Sequence, residues 1–239
     1  MFIKVTYAGG ELTTAAETRY VAALTYLTLD ETSSEAVVAG TYDHVTLKRT
    51  FAKDWNTVCL PFTISDVEAF FGTGAKAFEF KEYTSDGELS FGKVTTLKAS
   101  YPYIVFLPEA VAGDIALTDI TIANTDAEAW YKSSNSVYFR GTYAPIAAGG
   151  MEGKYGVTDD ARIRKGTAEA TINGFRAYFE IPEGAPVKAL VFQGDQPTDV
   201  RIVTVNSKEV EGLFDLAGRK VQKAKKGVFI QNGKKVAIK

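Results

Sequence analysis

His44 and Cys59 are the chain's one histidine and one cysteine. They bound what chemistry it can carry. A Ser-His-Asp or Cys-His nucleophile needs an imidazole base, so any such site must be built on His44. That residue lies in a strand-like run, Tyr42-Asp43-His44-Val45, and no Gly-x-Ser-x-Gly turn presents a serine. A surface or half-buried strand histidine is the expectation. One imidazole and one thiol cannot supply the usual nitrogen and sulfur ligands of zinc. Cys59, inside Val58-Cys59-Leu60, reads as a small buried hydrophobe. A single thiol leaves no internal disulfide.

Carboxylates are plentiful, with 29 Asp and Glu. Glycoside hydrolysis needs two of them facing across a cleft, and sequence spacing singles out no pair. Thr158-Asp159-Asp160 and Gly194-Asp195-Gln196-Pro197-Thr198-Asp199 are acidic loops. Neither has the twelve-residue calcium-loop pattern, and both read as solvated turns. Gly149-Gly150-Met151-Glu152-Gly153 is glycine-rich but lacks the Lys-Ser/Thr of a phosphate-binding loop. No cofactor, metal or catalytic residue is expected.

Sugar sites on β-sheets use exposed aromatic rings beside polar groups. Trp130-Tyr131-Lys132 lies between Asp126-Ala127-Glu128 and Ser133-Ser134-Asn135. Trp130 is therefore the expected exposed platform, with Tyr131 beside it, and Trp55 is assigned to the core. The alternative for Trp130 is that it folds back onto the core, as most tryptophans do.

The net charge of −2 hides an asymmetry. Residues 206–239 carry nine Lys and Arg against three Asp and Glu; residues 1–205 carry 18 against 26. An acidic body argues against binding a duplex, which needs a basic face to neutralise phosphates. No apolar run reaches the ~20 residues of a membrane span. The opening Met1-Phe2-Ile3-Lys4-Val5-Thr6 alternates like a strand and lacks the basic and apolar regions of a leader. A cytosolic chain, or a mature one with an added Met, is expected from that stretch.

Those residues sit on elements of period two. Phe175, Ala177, Phe179 and Ile181 alternate with Arg176, Tyr178 and Glu180. Similar runs span 20–29, 42–47, 77–81, 89–91, 103–107, 115–122, 137–143, 187–192 and 200–205. Ser85-Asp86-Gly87 suits a hairpin, because Asp-Gly tolerates positive φ. Such spacing predicts an all-β antiparallel sandwich, jelly-roll-like, and not βαβ units. One short helix is expected, with Ser65 as N-cap, Glu68 completing a capping box and Gly72 ending it. Trp55 to Phe62 is the expected centre of the core, with Pro61 at a strand end. Arg49 is expected on the sheet surface beside an acidic partner. The body spans 1–205, with Gly149 as the seam if it is two sandwiches. Residues 206–239 form a small β unit closed by an Asn232-Gly233 hairpin, too small to stand alone.

Phe214-Asp215-Leu216-Ala217-Gly218-Arg219-Lys220-Val221, Lys226-Gly227-Val228-Phe229-Ile230 and Asn232-Gly233-Lys234-Lys235 onward resemble the C-terminal sorting domain of type IX secretion cargo in Bacteroidetes. Phe229 stands where that family often has Tyr. Leu47-Lys48-Arg49-Thr50-Phe51, Trp55-Asn56-Thr57-Val58-Cys59-Leu60-Pro61-Phe62, Pro102-Tyr103-Ile104-Val105 and Arg176-Ala177-Tyr178-Phe179 are similar to a recurrent extracellular β-module of Bacteroidales. These resemblances imply a secreted or surface protein, and they carry no catalytic residues. The expected function is a non-catalytic extracellular binding or adhesion module, its partner a glycan or another surface protein. The alternatives are a carbohydrate-active enzyme, which needs a cleft with two carboxylates, and a structural surface subunit, which needs an exposed strand edge or apolar patch.

Overall fold

In the computed structural model the described residues are 23–127 and 136–193, with strand backbone alone at 129–131, 200–203, 213–214, 220–221, 227–231 and 234–238. The opening Met1–Thr6 run, the start of the 20–29 run and the Gly194–Asp199 loop lie outside them.

The alternating runs pair into sheets as their period requires. A six-stranded sheet has the order β14-β13-β5-β4-β6-β3. Its strands are β3 (Asp54–Val58), β4 (Lys76–Tyr83), β5 (Glu88–Val94), β6 (Tyr103–Leu107), β13 (Ala189–Gln193) and β14 (Val200–Val203). Gly87 turns β4 into β5 at φ +86°, as Asp86-Gly87 suggested. A five-stranded antiparallel sheet, β11-β10-β12-β9-β8, holds β8 (Ala129–Tyr131), β9 (Tyr138–Thr142), β10 (Tyr155–Val157), β11 (Ile163–Lys165) and β12 (Arg176–Glu180). A three-stranded sheet, β1-β2-β7, holds β1 (Tyr26–Asp30), β2 (Gly40–Lys48) and β7 (Ile115–Ile122). Pairing is antiparallel except for β1 with β2 and β13 with β5. Near the C-terminus a four-stranded sheet joins β15 (Leu213–Phe214), β16 (Lys220–Val221), β17 (Gly227–Gln231) and β18 (Lys234–Ile238), with Gln231 in register with Lys234; Asn232-Gly233 lies outside the described residues. The fold is the all-β sandwich read from the sequence.

The sandwich has an additional layer. Between the six- and five-stranded sheets lie Phe78, Phe80, Leu89, Phe91, Leu190 and Phe192, meeting Phe139, Ala177 and Phe179. On the opposite face of the six-stranded sheet, Val58, Ala77, Tyr103, Val105 and Leu107 pack with Leu29, Val45, Leu47 and Ile122 of the three-stranded sheet. Tyr103, Ile104, Val105 and Leu107 are all buried because β6 is covered on both faces. A continuous apolar run, rather than an alternating one, is what a doubly covered strand requires.

Helix α1 (Val67–Phe71) drives Val67 and Phe71 into that second core. Its N-cap is Asp66, one residue later than expected. Asp66 accepts from the Ala69 N–H at 3.0 Å, and Glu68 reaches forward to the Gly74 N–H instead of closing a box with Ser65. An aspartate side chain at that position reaches the third helical N–H as well as a serine does. Gly72 ends the helix at φ +105°.

Arg49 is buried, contrary to its expected surface place, at 1% exposure. Its guanidinium donates to the carbonyls of Phe175 and, at 2.6 Å, Thr57, and lies 4.1 Å above the Phe51 ring. It therefore ties the end of β2 to β3 and to the chain entering β12. Two further bonds close the same corner: Cys59 N–H to the Phe175 carbonyl at 3.0 Å, and Ala177 N–H to Thr57 Oγ1 at 3.0 Å.

Cys59 is buried as expected, its thiol donating to the Ser100 carbonyl at 3.1 Å. It occupies the space that a side chain on Gly141 of β9 would need. Gly141→Ala is expected to lower stability by about 1–3 kcal/mol through overpacking. A urea midpoint equal to wild type would show that the Cys59–Gly141 contact yields freely.

Candidate functional site

The corner where β3 meets the five-stranded sheet opens into a cleft of about 700 Å³. One wall is Ala52 and β3 from Trp55 to Thr57; the other is built from β10, β11, the 166–173 connection and the start of β12. Each wall is fixed by its own bonds. Asn56 clamps the turn before β3, accepting from the Ala52 N–H at 3.1 Å and donating to its carbonyl at 2.8 Å. Trp55 N–H donates to the Asp159 carbonyl at 3.2 Å, which ties β3 to the β10–β11 turn. Arg176 bonds Glu31 at 2.7 Å.

The corner also carries backbone strain. Phe175 is buried at φ +56°, a region that costs a bulky residue about 1–3 kcal/mol. Gly174 before it has no space for a Cβ, which would run into the Tyr143 carbonyl. The Arg49 guanidinium and the Cys59 N–H both hold the Phe175 carbonyl in place. Burial drives the Arg49 pKa well below its ordinary value, and the nearby Arg176 cation adds to this; Glu31 and Cys59 act the other way.

Trp55, assigned to the core from sequence, is half-buried and lines the cleft. Its indole stacks on Phe192 at 4.4 Å and 23°, with Phe78 and Phe106 against it at 5.8 and 5.3 Å. A ring supported on that side is a rigid apolar platform. Polar groups surround it. Among the described residues, Arg164, Lys165, Thr171 and Asn173 make no side-chain hydrogen bond or ion pair across this cleft. Among the described residues Asp159 is the one carboxylate lining it.

Trp130 and Tyr131 lie in β8, in register with Phe139 and Tyr138 of β9. Their side chains lie outside the described residues. His44 is exposed and stacks on Tyr26 at 5.0 Å. The Thr158–Asp160 loop is a turn: Thr158 bonds Asp160, and Asp160 pairs with Arg162 at 2.8 Å. The Thr158 hydroxyl, with a smaller contribution from Arg162, holds the Asp160 carboxyl below its ordinary pKa. No group of three metal-ligating side chains occurs among the described residues. Gly149–Gly153 is a turn in the connection from β9 to β10.

Sequence reasoning passed over Trp55 and the cleft's basic rim. The signal was present: Lys53, Asp54 and Asn56 give Trp55 the same polar setting that drew attention to Trp130. What sequence could not supply is the approach of β11 and the 166–173 connection to β3. No family model, curated protein or solved structure matches the chain.

Proposed function

We propose that this chain is a non-catalytic extracellular binding module that captures a glycan in the cleft between β3 and the five-stranded sheet. The observation that carries this reading is the Trp55 ring, backed by Phe192 and bordered by the uncommitted side chains of Thr171 and Asn173. An apolar platform ringed by hydrogen-bonding groups suits the alternating apolar and hydroxylated faces of a sugar. A cleft volume near 700 Å³ suits a short oligosaccharide. The single lining carboxylate, Asp159, favours capture over hydrolysis, which needs a facing pair. The extracellular setting rests on the tail and β-module resemblances.

A glycan array with the full chain, followed by titration calorimetry on the hits, tests this. Trp55→Ala is expected to weaken binding at least tenfold, about 1.4 kcal/mol or more. Asn173→Ala, which disturbs no described hydrogen bond, is expected to weaken it several-fold with an unchanged melting temperature. Trp130→Ala run in parallel tests the β8 platform. Retained binding in both Trp55→Ala and Asn173→Ala would remove the cleft from consideration.

A second reading, a structural or assembly subunit, is favoured by β1, which among the described residues pairs on one side only, with β2. Leu24, Tyr26 and Val38 are 56%, 68% and 58% exposed there. An unpaired strand edge with apolar neighbours is a template for association.

A further inference from the structure

From the charges around this cleft we infer that its ligand is an anionic saccharide, one carrying carboxylate or sulfate groups. The inference rests on the glycan reading above and adds the ligand's charge.

Residues 1–205 are acidic, with 18 basic against 26 acidic side chains. The cleft reverses that balance: Arg164, Lys165 and Arg176 line it against Asp159 alone. Arg164 and Lys165 are exposed on β11, and neither is in an ion pair among the described residues. Asp160, close enough to feel Arg164, is already paired with Arg162 at 2.8 Å. Arg176 uses one nitrogen on Glu31, and among the described residues its other guanidinium N–H groups have no hydrogen-bond partner.

The cleft is therefore rich in donors. Lysine and arginine donate and cannot accept, so they select a ligand bearing acceptors and negative charge. A guanidinium fork matches a carboxylate or sulfate in two parallel bonds. A concave wall concentrates the field of such cations more than a flat surface does. The Trp55 ring supplies the apolar contact that a bare inorganic anion does not use. A single-stranded nucleic acid is also anionic and stacks on aromatic rings, but the acidic body around the cleft repels a long polyanion that a short oligosaccharide avoids.

The test is an array and calorimetric titration of the full chain with matched pairs. Oligogalacturonates are set against their methyl esters, and chondroitin sulfate oligosaccharides against desulfated ones; a dT oligonucleotide completes the panel. The acidic member of a pair is expected to bind about tenfold tighter at low salt, as two or three partly screened charges provide. In Arg164→Gln/Lys165→Gln that preference is expected to fall to about one third or less, the acidic member losing more affinity than the neutral one. Preference for carboxylate over sulfate, or the reverse, identifies the anion. Equal binding of acidic and neutral members, or a preference that the double substitution leaves undiminished, overturns the anionic assignment and leaves the glycan reading standing. No binding by any saccharide overturns both, and tighter binding of the oligonucleotide overturns the saccharide in favour of nucleic acid.

Discussion

Arg49→Ala is expected to lower the stability of this protein by about 3–5 kcal/mol. The substitution removes the guanidinium donor from the Thr57 carbonyl and one of two donors from the Phe175 carbonyl, which keeps the Cys59 N–H at 3.0 Å. It also opens a cavity under the Phe51 ring. Each unsatisfied buried carbonyl costs about 1–3 kcal/mol, and the lost packing adds to it. Arg49→Lys keeps the charge on a single point that cannot span two carbonyls, so most of the loss should remain. Arg49→Met removes the buried charge and fills the space, and is expected to lie between wild type and Ala. Urea unfolding followed by far-UV circular dichroism checks the series. A Met variant as stable as wild type would show that packing, and not the two hydrogen bonds, holds this corner. The same variant gives a second readout. Phe175 loses a tether of its left-handed backbone, so the cleft wall at Asn173 should loosen, seen as faster hydrogen exchange across 173–177.

Phe139→Ala should be comparable, at about 3–5 kcal/mol. Phe139 is fully buried where the six- and five-stranded sheets meet. Its ring lies 4.3 Å from Phe179 at 15°, and edge-on to Phe91 at 5.9 Å and Phe80 at 6.2 Å. Truncation removes the transfer energy of the ring and leaves a void that three rigid rings cannot close. Phe139→Leu keeps most of the volume and should cost much less. Because β4 and β6 serve the cores on both faces of the six-stranded sheet, loss of one core should unfold the other. Fluorescence, dominated in part by Trp55, and circular dichroism should report one coincident transition. Two separated transitions would show that the cores fold independently.

The sequence by itself determined the strands. Alternation in Arg176–Glu180, the two C-terminal runs Val228–Ile230 and Lys234–Ile238, the Asp86-Gly87 turn, and the Gly72 helix stop are local signals whose cause lies within a few residues. They carried over into β12, the β4–β5 hairpin, the antiparallel β17–β18 pair and the end of α1. Burial of Cys59 was legible for the same reason, since an apolar run around a thiol has few other places to go. Where each strand's second face points is not local. β6 reads alike whether one or both faces are covered, and only the docking of the three-stranded sheet decides it. Arg49 follows a strand, and its charge argues for the surface; burial became affordable only because two carbonyls and an aromatic ring converge there from 8 and 126 residues away. Trp55 looked like core because it opens the run that continues into apolar Val58 to Phe62, yet it sits at the edge strand of its sheet, where a cleft opens. The cleft itself joins residues 52–57 to residues 151–177, and chain separation of that size leaves no periodic trace. Strand identity is fixed by short-range periodicity; the candidate site exists only because tertiary packing brings an edge strand, a strained corner and a basic rim together.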